Sequence, residues 1–354
     1  MERFKKRLAF TQDITHKIYG MISQIEELKG QWKAGVNLSP QILGSLKKSV
    51  IVTSAGASTR IEGAKLSDEE VEKLLKGLKI QKLKTRDEQE VAGYAELLTN
   101  VFDFHRTIKL SEGTIKHFHN ELLKYSEKDT RHRGNYKFGS NRVEVKDSDG
   151  NIVGILFDPT PPHLVPKEMN ELVDWTILAL DKKEIHPLII IGNFIFEFLS
   201  IHPFQDGNGR ASRILTNLLL LKNGYEYVPY VSHEKLVEDN KNNYYIALNK
   251  SQKSWKTKNE DVGPWLIFFL TTLLEQAKRA INLLSSESIE HLLSEKQLAV
   301  WSYIREHKKV TPRELQKQLK MPAPTILQIL NKLLNMKKIE RVGEGRAVRY
   351  TLLD

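Results

Sequence analysis

Residues His202 to Arg213 read HPFQDGNGRASR, and each element of this stretch suits chemistry at a phosphate. Gly207 and Gly209 let the backbone approach an anion closely, and the loop runs into a helix start whose unpaired N–H groups favour negative charge. Asp206 offers a hard carboxylate of the kind that holds Mg²⁺ together with phosphate oxygens and water. Arg210 and Arg213 stand three apart, so one helical face aims both at the same anion. His202 is the one side chain of the loop whose ordinary pKa suits proton abstraction near neutrality. Singly, each of these is commonplace: a histidine after an apolar helix is usually packing, and a Gly-x-Gly is usually a turn. Gathered in one short loop, they exceed what folding alone requires.

The elements around the loop must hold it still. Leu188 to Ser200 (LIIIGNFIFEFLS) and Ile214 to Leu221 are apolar on nearly every face, the pattern of helices buried at the centre of a bundle, and the loop lies between them. Apolar residues recur at three- and four-residue spacing through most of the chain, which predicts a mainly α protein, including a long helix over Pro264 to Leu284. One exception is Asn141 to Phe157, where Val143, Val145, Ile152, Val153 and Ile155 flank the turn-rich run Asp147 to Asn151 and predict a β-hairpin. Gly150 directly follows the second acidic residue of that turn, which breaks the spacing of a calcium loop. The last sixty residues read as a separate unit: a helix capped by Ser294, a second starting at Thr311-Pro312, a third over Pro322 to Met336, and two strands within Ile339 to Leu352 joined at Gly343-Glu344-Gly345. That order resembles a winged helix-turn-helix.

Composition narrows the classes. The chain has 354 residues, 40% hydrophobic and 28% charged, which suits a globular protein of two or three domains. It has no cysteine, so disulfides, thiolate nucleophiles and cysteine-bound zinc are excluded. No apolar run is long enough for a membrane span and no apolar signal core follows the charged start, which predicts a cytoplasmic protein without a membrane partner. The net charge of +10 suits an acidic partner such as a nucleotide or DNA.

The loop resembles the Fic family motif, His-x-Phe-x-Asp/Glu-Gly-Asn-Gly-Arg-x-x-Arg, and matches it at every defined position. Residues 111–285 look like the family's helical core with its hairpin flap, 1–110 like an N-terminal helical attachment, and 294–354 like the appended winged unit. The resemblance implies a protein adenylyltransferase that places AMP from Mg-ATP on a Ser, Thr or Tyr hydroxyl of a target protein or of itself. His202 would deprotonate the hydroxyl, Phe204 anchor the loop and Asp206 hold Mg²⁺. Asn208 with the Gly207 and Gly209 amides would bind the α- and β-phosphates, Arg210 the β-phosphate and Arg213 the γ-phosphate. Gly209 stands where the Doc-like kinase branch has lysine, which favours adenylylation over phosphorylation.

Ser58-Thr59-Arg60-Ile61-Glu62-Gly63 is similar to the family's inhibitory pattern Ser/Thr-x-x-x-Glu-Gly/Asn, which implies that Glu62 pairs with Arg213 and takes the place of the γ-phosphate. Read without the family, Gly63 ends a helix and Glu62 is a surface charge; with it, the same carboxylate can alternatively orient water for removal of AMP. Tyr244-Tyr245 resembles the adenine-side helix, with Tyr245 at the base pocket or simply packed, and Lys137 stands where many relatives carry Arg. The rival class is a DNA-binding regulator with a nucleotide-sensing domain: residues 294–354 hold thirteen Lys and Arg against six Asp and Glu. The resemblance also suggests a homodimer.

Overall fold

The protein is described here by a computed structural model covering residues 2–36, 40–77, 83–146, 152–287, 295–307, 309–335, 338–343 and 348–353. These residues fall into two compact units, one within 2–36 and 40–282 and one from 283 onward. The N-terminal helices and the helices after residue 111 thus share a single unit.

The first unit is built around two helices, α8 (Pro187–Ile201) and α9 (Asn208–Lys222). Every residue from Leu188 to Ile201 is buried, as is every residue of α9 from Asn208 to Leu221 except Gly209. α8 and the 214–221 half of α9 are apolar on nearly every face, so other helices must enclose them. Those helices are α1 (Glu2–Lys6), α2 (Gln12–Gly35), α3 (Pro40–Ile61), α4 (Asp68–Gly77), α5 (Arg86–Phe104), α6 (Glu112–Leu122), α7 (Val165–Lys182), α10 (His233–Asp239), α11 (Lys241–Gln252) and most of α12 (Gly263–Glu287). Polar caps set several starts: Thr85 and Glu88 form a capping box on α5, Ser111 caps α6 and Ser232 caps α10.

Charges inside this core are paired or hydrogen-bonded. Arg7, just after α1, is buried against Asn193 and against Glu197, a fully buried carboxylate of α8 that Arg3 and Trp255 also contact. Burial raises the pKa of Glu197, but the two arginines outweigh it and hold the carboxyl below its ordinary value. The N-terminal segment is therefore tied to the helix that leads into the glycine-rich loop.

The predicted hairpin is present, with β1 (Val143–Lys146) antiparallel to β2 (Ile152–Phe157). Its turn, 147–151, lies outside the described residues. No helix among the described residues is long and apolar enough to cross a membrane.

The second unit has α13 (Glu295–His307), β3 (Lys309–Val310), α14 (Pro312–Leu319), α15 (Ala323–Asn335), β4 (Ile339–Val342) and β5 (Arg349–Leu352). A capping box of Thr311 and Glu314 starts α14, with Pro312 at its first position. The sheet is antiparallel in the order β3-β5-β4 and shares a core of Val300, Ile304, Leu315, Ile326, Leu330 and Ile339. This is winged helix topology. The two-residue β3 escaped the sequence reading because one apolar residue beside lysines carries no alternation. The proposed cap Ser294 and the wing tip at 344–347 lie outside the described residues.

Candidate active site

The loop between α8 and α9 is held from behind. His202 ends α8 in the left-handed conformation, φ 53°, and its N–H donates to the Phe198 carbonyl at 2.9 Å. Beyond it the backbone carbonyls are taken one after another. Lys137 Nζ reaches the Ile201 oxygen at 3.3 Å, and the Lys137 N–H donates to Pro203 at 2.8 Å. The Asn141 side-chain amide donates to His202 at 3.1 Å and Phe204 at 2.7 Å. His119 Nε2 meets the Asp206 carbonyl at 2.9 Å. Five carbonyls of residues 201–206 are thus engaged, while the N–H groups of Phe204 and Gly207 donate to the Asn208 and Asp206 side chains.

Three contacts lock the frame. Phe204 is buried and stacks on His119 with 3.8 Å between ring centres and 3° between planes. The Gly134 N–H donates to His119 Nδ1 at 2.9 Å; that nitrogen must therefore accept, which leaves the proton on Nε2 to donate to Asp206. Burial keeps this imidazole neutral, with a pKa pushed down to about 4. Asn208 bridges the loop ends, its oxygen accepting from the Phe204 N–H at 2.9 Å and its amide donating to the Phe204 carbonyl at 2.7 Å. Its side chain thus shapes the loop, while a role at phosphate rests with the backbone. Gly207, at φ 79°, supplies the left-handed turn into α9 that a side chain would strain.

His202 carries an imidazole held neutral by its surroundings. Burial, reinforced by the Lys137 charge, lowers its pKa to about 4 against the pull of Glu62 and Asp206, so the imidazole is neutral at physiological pH. Lys137 is buried and its own pKa is lowered to about 8.

The charged residues of the motif join a ring of alternating sign. Arg210 pairs with Glu90 and with Asp206, each at 3.0 Å, and Arg86 pairs with the same two carboxylates at 2.7 and 2.6 Å. Burial raises the Asp206 pKa, yet Arg210, the Gly207 N–H and Arg86 together hold it below its ordinary value. As a single ionised carboxylate, partly open to solvent, Asp206 fits a hard cation that completes its shell with phosphate oxygens. Among the described residues no three His, Cys, Asp or Glu gather closely enough to chelate a metal by themselves.

Arg213 faces the end of α3. Its Nη2 pairs with Glu62 Oε1 at 2.7 Å and the Ser58 carbonyl at 2.9 Å, and its Nε donates to Ser58 Oγ at 2.8 Å. Its Nη1 is buried and finds no hydrogen-bond partner among the described residues. Burial disfavours the charge of Arg213, but the Glu62 carboxylate outweighs it and raises the pKa above that of ordinary arginine. Gly209 makes room for this pair: a Cβ there would overlap Glu62 Oε1 and stand 3.2 Å from Arg213 Nη1. Gly63, at φ 107°, terminates α3, so the helix-end reading and the Arg213 pairing hold together. Tyr245 is partly exposed with its hydroxyl 3.5 Å from the Ile61 carbonyl, beside the same helix end.

The structure thus gathers His202, Asp206, Gly207, Asn208, Gly209, Arg210, Arg213 and Glu62 in one site, with Tyr245 at the rim. Sequence reasoning missed His119, Asn141, Glu90 and Arg86. The buried histidine on the apolar face of α6 and the carboxylate amid the apolar residues of α5 carried a signal, since buried polar groups require partners.

Comparison with known proteins agrees with this construction. The Fic/DOC family profile matches residues 109–220, which spans α6 through the loop and most of α9. A probable protein adenylyltransferase of Aquifex aeolicus is 28% identical over 202 residues, 57% of this chain and 59% of that protein. The protein adenylyltransferase Fic of Nematostella vectensis is 30% identical over 110 residues, 31% of this chain and 23% of that one. A Fic family protein from Desulfovibrio desulfuricans has a crystal structure that covers 98% of both chains with a TM-score of 0.63 at 24% identity, a likeness of fold. The chain is thus similar to the Fic/DOC family through residues 109–220. It spans less than two thirds of the length of these curated relatives.

Proposed function

We propose that the chain is a protein adenylyltransferase, transferring AMP from Mg-ATP to a hydroxyl side chain of a target protein or of itself, and that Glu62 holds it inactive. The observation that carries the reading is Arg213, a buried guanidinium with one nitrogen on Glu62 and a second, Nη1, without a hydrogen-bond partner among the described residues and beside Gly209. A buried donor left open in this way is costly and marks a place for an anion.

The steps follow from the residues. The target hydroxyl oxygen attacks the α-phosphorus while its proton passes to the neutral imidazole of His202, and the bond from the α-phosphorus to the bridging oxygen of pyrophosphate breaks. Backbone N–H groups at Gly207 and Gly209 receive phosphate oxygens, Arg210 the β-phosphate and Arg213 the γ-phosphate. Asp206 would hold Mg²⁺, which when bound would offset charge on the leaving pyrophosphate. The hairpin offers its strand edge to align a target segment by backbone pairing. With Glu62 on Arg213, the triphosphate tail lacks its terminal partner and the α-phosphate is misaligned. Incubation of wild type and Glu62→Gly with α-labelled ATP, Mg²⁺ and lysate tests this; no label transfer by the Glu62→Gly protein overturns it.

For the second unit, the excess of basic residues supports DNA as a partner. The core-averted face of α15 carries Leu327, Gln328 and Asn331. Duplex binding by the intact chain that weakens steeply with salt tests this reading; binding indifferent to salt counts against it.

A further inference from the structure

Arg86 stands outside the motif and works against its own helix. It is the first residue of α5, directly after the Thr85 cap, where the helix dipole disfavours a cation. Its pairing with Glu90 runs from cation to anion along the helix, the poorer order for an i,i+4 pair. Helix stability therefore does not account for its position. What does is Asp206, 120 residues away, whose Oδ2 Arg86 meets at 2.6 Å. Arg86 remains 51% exposed, free to swing aside, whereas Arg210 on the same carboxylate oxygen is 2% exposed and fixed.

We propose that Arg86 is a positioning residue that serves as the stand-in cation of Asp206, neutralising the carboxylate when no metal is held there. The proposal rests on the adenylyltransferase reading, in which Asp206 is the metal carboxylate. Asp206 lies at the mouth of a site built for a polyanion, and with Arg210 alone serving both it and Glu90 a net negative charge remains that repels the phosphates. With Arg86 in place that repulsion is cancelled, so nucleotide can enter before or without the metal. Once the carboxylate takes up a divalent cation, Arg86 is released from it and stays on Glu90, whose other oxygen keeps Arg210 in place. The site thus has two interchangeable partners for one carboxylate, one of them covalently part of the chain.

The consequence is a metal dependence of binding that Arg86 blunts. Binding of α,β-methylene-ATP to the full chain carrying Glu62→Gly is measured by calorimetry with excess Mg²⁺ and again with excess EDTA. Arg86→Gln should weaken binding in EDTA about tenfold while leaving binding in Mg²⁺ within about twofold, so the ratio of the two affinities rises by roughly tenfold, a size ordinary for coupled sites. Arg86→Lys, which keeps the charge, should hold the ratio near its starting value. An unchanged or smaller ratio in Arg86→Gln overturns the proposal, as does equal weakening under both conditions, which is what a purely structural role produces. Asp206→Ala separates the layers: it should remove the Mg²⁺ enhancement altogether. Failure of the parent chain to bind nucleotide in either condition overturns the adenylyltransferase reading and this inference with it.

Discussion

The loop at 202–208 and the helix end at 58–63 both flank the start of α9 but are held in different ways. On the loop side, five carbonyls are fixed from behind by Lys137, Asn141 and His119, an aromatic ring is stacked in the core, and Asn208 closes the span. On the helix side, Arg60 grips Glu238 at 2.6 Å and Asp68 at 2.9 Å, while Glu62 reaches Arg213 through one 2.7 Å contact from a side chain still 34% exposed. A site that must orient reacting groups gains from a frame that does not yield. A site that must be released gains from a contact that a single displacement breaks. On the proposed reading, rigidity belongs to the chemistry and looseness to its control.

Substitutions on the two sides should therefore move transfer in opposite directions. The largest effect is expected for His202→Ala in the Glu62→Gly background, a loss of about a hundred- to ten-thousandfold in label transfer with nucleotide affinity nearly unchanged, since a general base acts in the transition state. Transfer at the parent rate removes His202 from that role. Next, Glu62→Gly alone should raise transfer by roughly ten- to a hundredfold, the scale of a charge-assisted contact worth about 1.5–3 kcal/mol. Adding Arg213→Ala should cancel most of that gain; full activation without the arginine would break the link between the two sides.

Smaller effects sharpen the contrast. Asn141→Ala frees the carbonyls of His202 and Phe204 and should lower transfer about tenfold, with a stability loss of about 1–3 kcal/mol by urea unfolding. Arg60→Ala loosens the helix end and should instead raise transfer a few-fold, because the pair it breaks is partly exposed and correspondingly weak. Equal signs for these two variants would erase the distinction. The smallest is a pH effect. A base whose pKa is lowered is active above that value and lost as pH falls through it, so kcat/KM of the Glu62→Gly protein should decline only as pH approaches about 4. A decline centred near the ordinary histidine value of about 6.5 would show that His202 is more hydrated than its surroundings imply.

How much of this was legible in the sequence varied with the range of the interaction. The twelve residues from His202 announced a candidate site because they are contiguous, and the flanking helices announced their burial because a segment apolar on nearly every face has one physical solution. The Glu62 pairing was readable only as a pattern, since 151 residues separate it from Arg213. The frame behind the loop was not readable as a frame: Asn141 beside a predicted strand looks like any polar residue, and His119 on an apolar helix face signals only a need for some partner, until the fold puts both against the same run of carbonyls. Arg86 was hidden for a further reason. Local rules make an arginine at a helix start slightly unfavourable, and nothing local says what offsets it.

Gly209 gives activation a one-sided genetics. Its bare Cα is shared ground, needed by the Glu62 carboxylate in the resting protein and by phosphate in the proposed reaction. An alanine there would evict the inhibitor and obstruct the nucleotide in the same stroke, so a gain of activity is closed off from the loop side. A selection for constitutive variants should thus return changes along α3 and its supports at Asp68 and Glu238, and leave residues 202–213 without a hit.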